Sequence, residues 1–244
     1  LFRQFPRLTA RASELLGWDV AETCLRDPGG VLGRTAYTQP AVFLVNALAF
    51  RAQQSDPPGR RPPAVALGHS LGEFNALEAA GALDFEEGLQ LVAARARITA
   101  SVSGAMTAVL GMPAQEIRDL LDARGLSALD MVNFNSPHQT VLAGTTEDVE
   151  RGERVLYEGG APDIRRLDVS GPFHSHAMAT VTPQWEAALA RVSFRPPAFP
   201  VVSNTTGRPH EPEYLRHRLA EHVRAPVLWE ASVRWTLDRY PDAV

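Results

Sequence analysis

The segment Gly68-His69-Ser70-Leu71-Gly72-Glu73 puts a serine between two glycines, after an apolar run and before a helical pattern. That is the context of a nucleophile elbow: a sharp strand-to-helix turn that pushes the serine hydroxyl into the open. Residues 64–67 read as the entering strand, and residues 71–80, rich in Ala, Leu and Glu and stopped by Gly81, as the helix that follows. Gly68 and Gly72 leave room for the turn. At a helix N-terminus the free backbone N–H groups can hold a developing oxyanion. The motif alone also arises by chance in glycine-rich loops, so the flanking elements carry the reading.

A serine hydroxyl needs a base, being barely ionised at neutral pH. Seven histidines are available: His69, His138, His174, His176, His210, His217 and His222. His174 is the strongest candidate, because Ser170-Gly171-Pro172-Phe173-His174-Ser175 reads as a loop between a strand and a helix, where polar groups reach the mouth of a sheet. His176 is its rival. The His-x-His pair lacks a third ligand at plausible spacing, which argues against a metal. The remaining histidines read as surface or capping residues.

The elements that must position these groups alternate. Residues 7–17 read as a helix, and residues 40–52 as another with Pro40 in its first turn. Residues 55–63 form a Pro/Arg-rich loop, and Asp84 with Glu87 suggests a capping box opening a helix to about Thr99. Helices are expected at 178–191 and 214–223, and a short buried strand at 200–204. Strands alternating with helices predict an α/β fold with a mostly parallel sheet. The middle differs: strand 105–111, helix 114–124, strands 131–135 and 139–144, helix 147–158 and strand 163–169 give β-α-β-β-α-β, the ferredoxin-like split unit. Repeats and low-complexity segments are not found.

Composition narrows the classes. The 244 residues suit one large domain or a core with an inserted subdomain, and 45% hydrophobic content is ample for a core. A formal charge of -4 argues against a nucleic-acid binder. All 24 basic residues are Arg, which reads as genomic composition bias. With Cys24 alone no internal disulfide is possible, so a cytoplasmic setting fits. Neither a membrane-length apolar run nor a signal-peptide pattern is seen, so no membrane partner is expected. The chain opens on a helix-like segment without Met, and closes at Pro241-Asp242-Ala243-Val244, where an apolar strand is expected to begin; both ends are expected to be trimmed.

Beyond the elbow, five segments carry a resemblance: Ala80-Gly81-Ala82-Leu83-Asp84-Phe85, Leu91-Val92-Ala93-Ala94-Arg95, Asn133-Phe134-Asn135-Ser136-Pro137-His138-Gln139, Gly171-Pro172-Phe173-His174-Ser175 and Ala225-Pro226-Val227-Leu228-Trp229. In that order and spacing the chain resembles the malonyl-CoA:acyl carrier protein acyltransferase family of fatty acid and polyketide synthesis. The resemblance implies an α/β-hydrolase-like core, here 1–104 and 171–244, with a ferredoxin-like subdomain at 105–170. It implies a Ser70–His174 dyad whose histidine is oriented by a backbone carbonyl at His222, where relatives often have Gln. The Leu71 N–H is the implied oxyanion donor. Arg95, with Arg97 as rival, is the implied grip on the malonyl carboxylate, through paired charge-assisted hydrogen bonds.

Leu71 and Phe173 stand where relatives that take methylmalonyl tend to have Gln and Ser, so plain malonyl is expected. No cofactor is expected on the chain itself; CoA comes with the donor and phosphopantetheine with the carrier protein. Carrier protein and, if the chain is part of a synthase, neighbouring domains are the expected partners. The family's N-terminal Gly-Gln-Gly segment, whose Gln helps form the oxyanion hole, and its Gly-Pro-Gly segment have no counterpart in this sequence. The segment 72–77 resembles discrete, trans-acting polyketide acyltransferases. A hydrolase on the same scaffold and a non-catalytic carrier-docking domain are the competing readings.

Overall fold

Three apolar helices build the centre of the larger core in the computed structural model, which describes residues 1–55 and 62–241. The N-terminal part of the chain is helical. It runs α1 (Pro6–Leu16), α2 (Val20–Arg26), α3 (Thr35–Ser55), α4 (Gly72–Ala79) and α5 (Phe85–Thr99). Pro6 opens α1 where a missing N–H costs nothing, and Gly17 closes it in the left-handed conformation. Asp19 caps α2 by accepting the Glu22 N–H. Helices α3, α4 and α5 bury Phe43, Leu44, Leu48, Phe74, Leu77, Leu89 and Val92 in one cluster. At about 1.5–3 kcal/mol for each such side chain, this cluster is the main support of the platform that carries the elbow.

The middle of the chain has the predicted order: β1 (Ala105–Leu110), α6 (Ala114–Asp122), β2 (Asp130–Ser136), β3 (Gln139–Gly144), α7 (Thr146–Glu158) and β4 (Asp163–Arg166). The four strands pair antiparallel in the order β2-β3-β1-β4. Strand β1 is apolar apart from Thr107 because both faces are covered. Ala105 and Val109 meet Ile117, Leu121, Val149 and Leu156 of α6 and α7, while Met106 and Ala108 join Val132, Val141 and Ala143 on the other face.

The chain then gives a 3₁₀ turn (His176–Val181), α8 (Thr182–Leu189), β5 (Val202–Ser203), β6 (Arg208–Pro209), α9 (Leu215–His222) and α10 (Trp229–Arg239). Trp185 seats α8 in the main core and donates from its indole N–H to the Leu219 carbonyl of α9 at 2.7 Å. Among the described residues no helix is long and apolar enough to cross a membrane.

Several expectations are corrected. The α/β class is observed, but the described residues hold two isolated parallel bridges, Ala66 with Val201 and Asn133 with Val227, in place of an extended parallel sheet. Segment 64–67 makes a single bridge, with Ala66 hydrogen-bonded to both Pro200 and Val202. Helix α3 begins ahead of Pro40, so the proline lies inside it. Asp84 caps α5 through the Glu86 N–H, while the Glu87 carboxylate accepts the Ser193 N–H instead of closing a capping box. The helix expected at 178–191 is a 3₁₀ turn followed by the shorter α8, and β4 stops at Arg166. Helices α2 and α10 lie where no element was expected. Residues 56–61 of the expected Pro/Arg-rich loop and 242–244 of the expected strand lie outside the described residues.

The two elbow glycines differ. A Cβ on Gly68 would lie 2.1 Å from the Gly72 carbonyl carbon and oxygen, a collision between backbones that no side-chain motion relieves. A Cβ on Gly72 would meet nothing within 4 Å. Gly68→Ala should therefore lower unfolding stability by about 3 kcal/mol or more, and Gly72→Ala by less than about 0.5 kcal/mol, in urea titrations. Equal effects at both positions would contradict the close-approach argument.

Candidate active site

Three non-glycine residues in the described chain have positive φ: Asp27, Ser70 at 50° and His174 at 64°. Two of them are the predicted nucleophile and base. Ser70 follows segment 64–67, with Leu71 as the residue before α4. His174 lies between β4 and the 3₁₀ turn. The Ser70 Oγ is 2.7 Å from the His174 Nε2. The His174 Nδ1 is 2.8 Å from the main-chain oxygen of His222.

A carbonyl oxygen only accepts, so the proton sits on Nδ1 and the Nε2 lone pair faces the serine hydroxyl. His222 ends α9, where carbonyls lack intrahelical partners and the helix dipole is negative. That terminus occupies the position an Asp takes in a triad.

Arg95 comes from the buried face of α5 and is 3% exposed. Its Nη2 lies 3.3 Å from the Ser70 Oγ and its Nη1 donates to the Gln39 Oε1 at 2.8 Å. The guanidinium lies over the Phe74 ring, 5.9 Å from its centre, and the Nε–H has no partner among the described residues. Arg97 is exposed, which separates it from Arg95. Burial pulls the Arg95 guanidinium down to about 10, offset in part by the negative charge of Glu73, so it stays cationic at neutral pH. Burial first, and then the Arg95 charge, pull His174 down to about 3, leaving a neutral imidazole ready to accept a proton. His222 is pushed well below the ordinary histidine range, again chiefly by burial.

The elbow is held from beneath. Asn204, just past β5, accepts the Ser70 N–H on Oδ1 at 2.6 Å and donates from Nδ2 to the Gly68 carbonyl at 2.8 Å. The Leu71 N–H has no hydrogen-bond partner among the described residues. His69 reaches Asn135 of β2 at 2.8 Å and meets the Trp229 ring edge-on.

Ser70, His174, Arg95 and His222 thus converge, with Leu71 adjoining. Phe173 instead packs on the small sheet with Met106, Ala108, Val132, Val141 and Ala143. His176 turns away to Asp130, at 2.7 Å, with its side chain 91% exposed. The expectation of a surface or capping role fails for His210: its side chain is fully buried against Glu73, at 2.7 Å. Gln39 and Asn204 went unassigned. Asn204 ends an apolar run as a buried polar residue, the one signal that could have flagged it.

The acyl transferase domain profile matches residues 2–244. A polyketide biosynthesis malonyl CoA-acyl carrier protein transacylase of Bacillus velezensis, BaeC, is 40% identical over 98% of this chain and 83% of its own. The polyketide biosynthesis protein ThaF of Burkholderia thailandensis is 39% identical over 96% of this chain, which spans 20% of ThaF. The crystal structure of a malonyl CoA-acyl carrier protein transacylase from Burkholderia pseudomallei superposes with a TM-score of 0.93 at 38% identity. It covers 99% of this chain and 82% of that one.

With His174 already neutral, Ser70 should react with a fluorophosphonate at a rate that stays flat from about pH 8 to about pH 5; an inflection near 6.5 would mean an ordinary histidine. Stability should behave differently. His174 and His222 are depressed on folding, so below about pH 6.5 the unfolded chain takes up protons that the native one refuses. The urea midpoint should therefore fall as pH falls from about 6.5 towards 4.

Proposed function

Because the chain belongs to the acyl transferase domain family, we infer that it moves a malonyl group from malonyl-CoA to the phosphopantetheine thiol of an acyl carrier protein. The setting is polyketide or fatty acid biosynthesis; BaeC and ThaF are both named for polyketide biosynthesis. One observation carries the reading. A buried arginine shares the serine hydroxyl with a correctly oriented histidine, so an acyl group carried on that oxygen and ending in a carboxylate would bring its negative end within reach of the cation.

The Ser70 Oγ attacks the thioester carbonyl carbon and its proton passes to the His174 Nε2. The Leu71 N–H donates to the oxyanion that forms. As the C–S bond breaks, His174 returns the proton to the departing CoA thiolate and a malonyl ester remains on Ser70. The carrier thiol then attacks that ester, giving its proton to His174, which hands it back to the Ser70 oxygen. The His222 carbonyl stabilises each transient imidazolium. A weak base suffices because a thioester is an activated donor.

Arg95 binds the malonyl carboxylate with two parallel hydrogen bonds, exchanging its contact with Gln39 for a charged partner. This neutralises a charge that depresses His174, so the correct acyl group also makes the base stronger. Leu71 and Phe173 favour malonyl over a C2-methyl branch, a discrimination worth about 1–3 kcal/mol. The Ala66–Val201 parallel bridge supports an α/β-hydrolase-like core of 1–104 and 171–244, and the four-stranded antiparallel unit supports a 105–170 subdomain, joined to that core by the Asn133–Val227 bridge.

Intact-mass analysis of the protein with malonyl-CoA and a holo carrier protein tests the reading. A malonyl adduct on Ser70 that passes to the carrier is the expected result. Release of free malonate without transfer would favour the hydrolase alternative, and no acyl-enzyme at all would sink both. Arg95→Ala should cut malonyl kcat/KM by about 10²-fold or more, since it removes a buried charged partner, while acetyl-CoA turnover is kept or raised. Unchanged malonyl loading would remove Arg95 from the mechanism.

A further inference from the structure

The Glu73 carboxylate is fully buried, three residues beyond the nucleophile in the first turn of α4. A buried charge is costly unless its oxygens are bonded, so its partners indicate what it does. The Glu73 Oε1 faces the His210 Nε2 at 2.7 Å. The Glu73 Oε2 accepts the backbone N–H of Asn204 at 2.9 Å. The same oxygen lies 3.7 Å from the His222 Nε2, and neither ring nitrogen of His222 has a hydrogen bond among the described residues.

Asn204 bonds both peptide groups of the elbow, the Gly68 carbonyl and the Ser70 N–H. His222 supplies the carbonyl that orients His174. One carboxylate therefore touches the residue that clamps the nucleophile and the residue that orients the base, without touching either reacting atom.

We propose that Glu73 is a positioning residue for the Ser70–His174 dyad, acting through Asn204: its charge fixes Asn204 so that Asn204 holds Ser70 in the left-handed conformation. His210 is the second anchor of the carboxylate. Because Asn204 occupies the Ser70 N–H, the Leu71 N–H is left as the free donor at the elbow, and the clamp separates the structural amide from the catalytic one.

The proposal rests on the acyltransferase reading only where malonyl turnover is the readout, so two readouts are taken. Malonyl loading gives kcat and KM, and phosphonylation of Ser70 by a fluorophosphonate gives nucleophilicity independent of the acyl group. Glu73→Gln should lower kcat and the phosphonylation rate by about 10-fold or more, the size expected for hydrogen bonds to a charged group, with KM within about threefold. Asn204→Ala should cause a similar loss, and the double variant should lose little beyond either single one.

Wild-type rates in Glu73→Gln, or losses that multiply in the double variant, would overturn the proposal. If Glu73→Gln does not fold, Glu73→Asp is read the same way, since it keeps the charge but withdraws it from Asn204. If neither folds, Glu73 is a folding determinant and the proposal is wrong. A wild-type protein that takes the phosphonate but not malonyl would fail the acyltransferase reading alone, leaving the phosphonylation rates to decide the role of Glu73.

Discussion

Two residues must sit in backbone conformations that L side chains resist, and the rest of the site is arranged around that constraint. Ser70 and His174 both have positive φ, at about 1–3 kcal/mol each. The conformation lifts the serine out of the turn and aims the imidazole back at it. It persists because the surroundings over-determine it. Gly68 lets the chain pass against Gly72, Asn204 bonds the peptides on either side of the turn, and the His174 N–H donates to the Val223 carbonyl at 3.2 Å. The helical core beneath supplies the burial that makes these bonds strong.

Electrostatically the dyad is a neutral pair beside one buried cation. Among the described residues no carboxylate is hydrogen-bonded to the Arg95 guanidinium; its contacts are an amide oxygen, an aromatic face and the serine hydroxyl. Burial first, and then this nearby cation, hold His174 below the ordinary histidine range. In the proposed reaction, recognition and activation are one event, so an acyl group without a carboxylate forfeits rate as well as affinity.

The sequence reveals what is local. The elbow and the βαββαβ order are written in short motifs and periodicity, while the pairing of Ser70 with His174 and the choice of Arg95 come through the family resemblance. What it hides is tertiary. Asn204 and Gln39 lie 134 and 56 positions from their partners Ser70 and Arg95, and no local pattern connects them. His210 looks like a loop histidine until Glu73 is found buried against it. Helix α10 was missed because its polar content masks a buried face confined to Ser232 and Thr236. The expected parallel sheet reduces to two bridges, since a short apolar run predicts an extended segment but not the number of its neighbours.

The orienting acceptor for His174 is a peptide oxygen, not a side chain. Such an oxygen has no ionisation in the physiological range, so it cannot be switched off by acid as an Asp could. It also exists whatever residue occupies the position. The side chain at position 222 answers instead to its buried neighbours Glu73, Phe74 and His174, while the orienting of the base depends on where α9 ends. A search for a triad by matching side chains would pass over this enzyme.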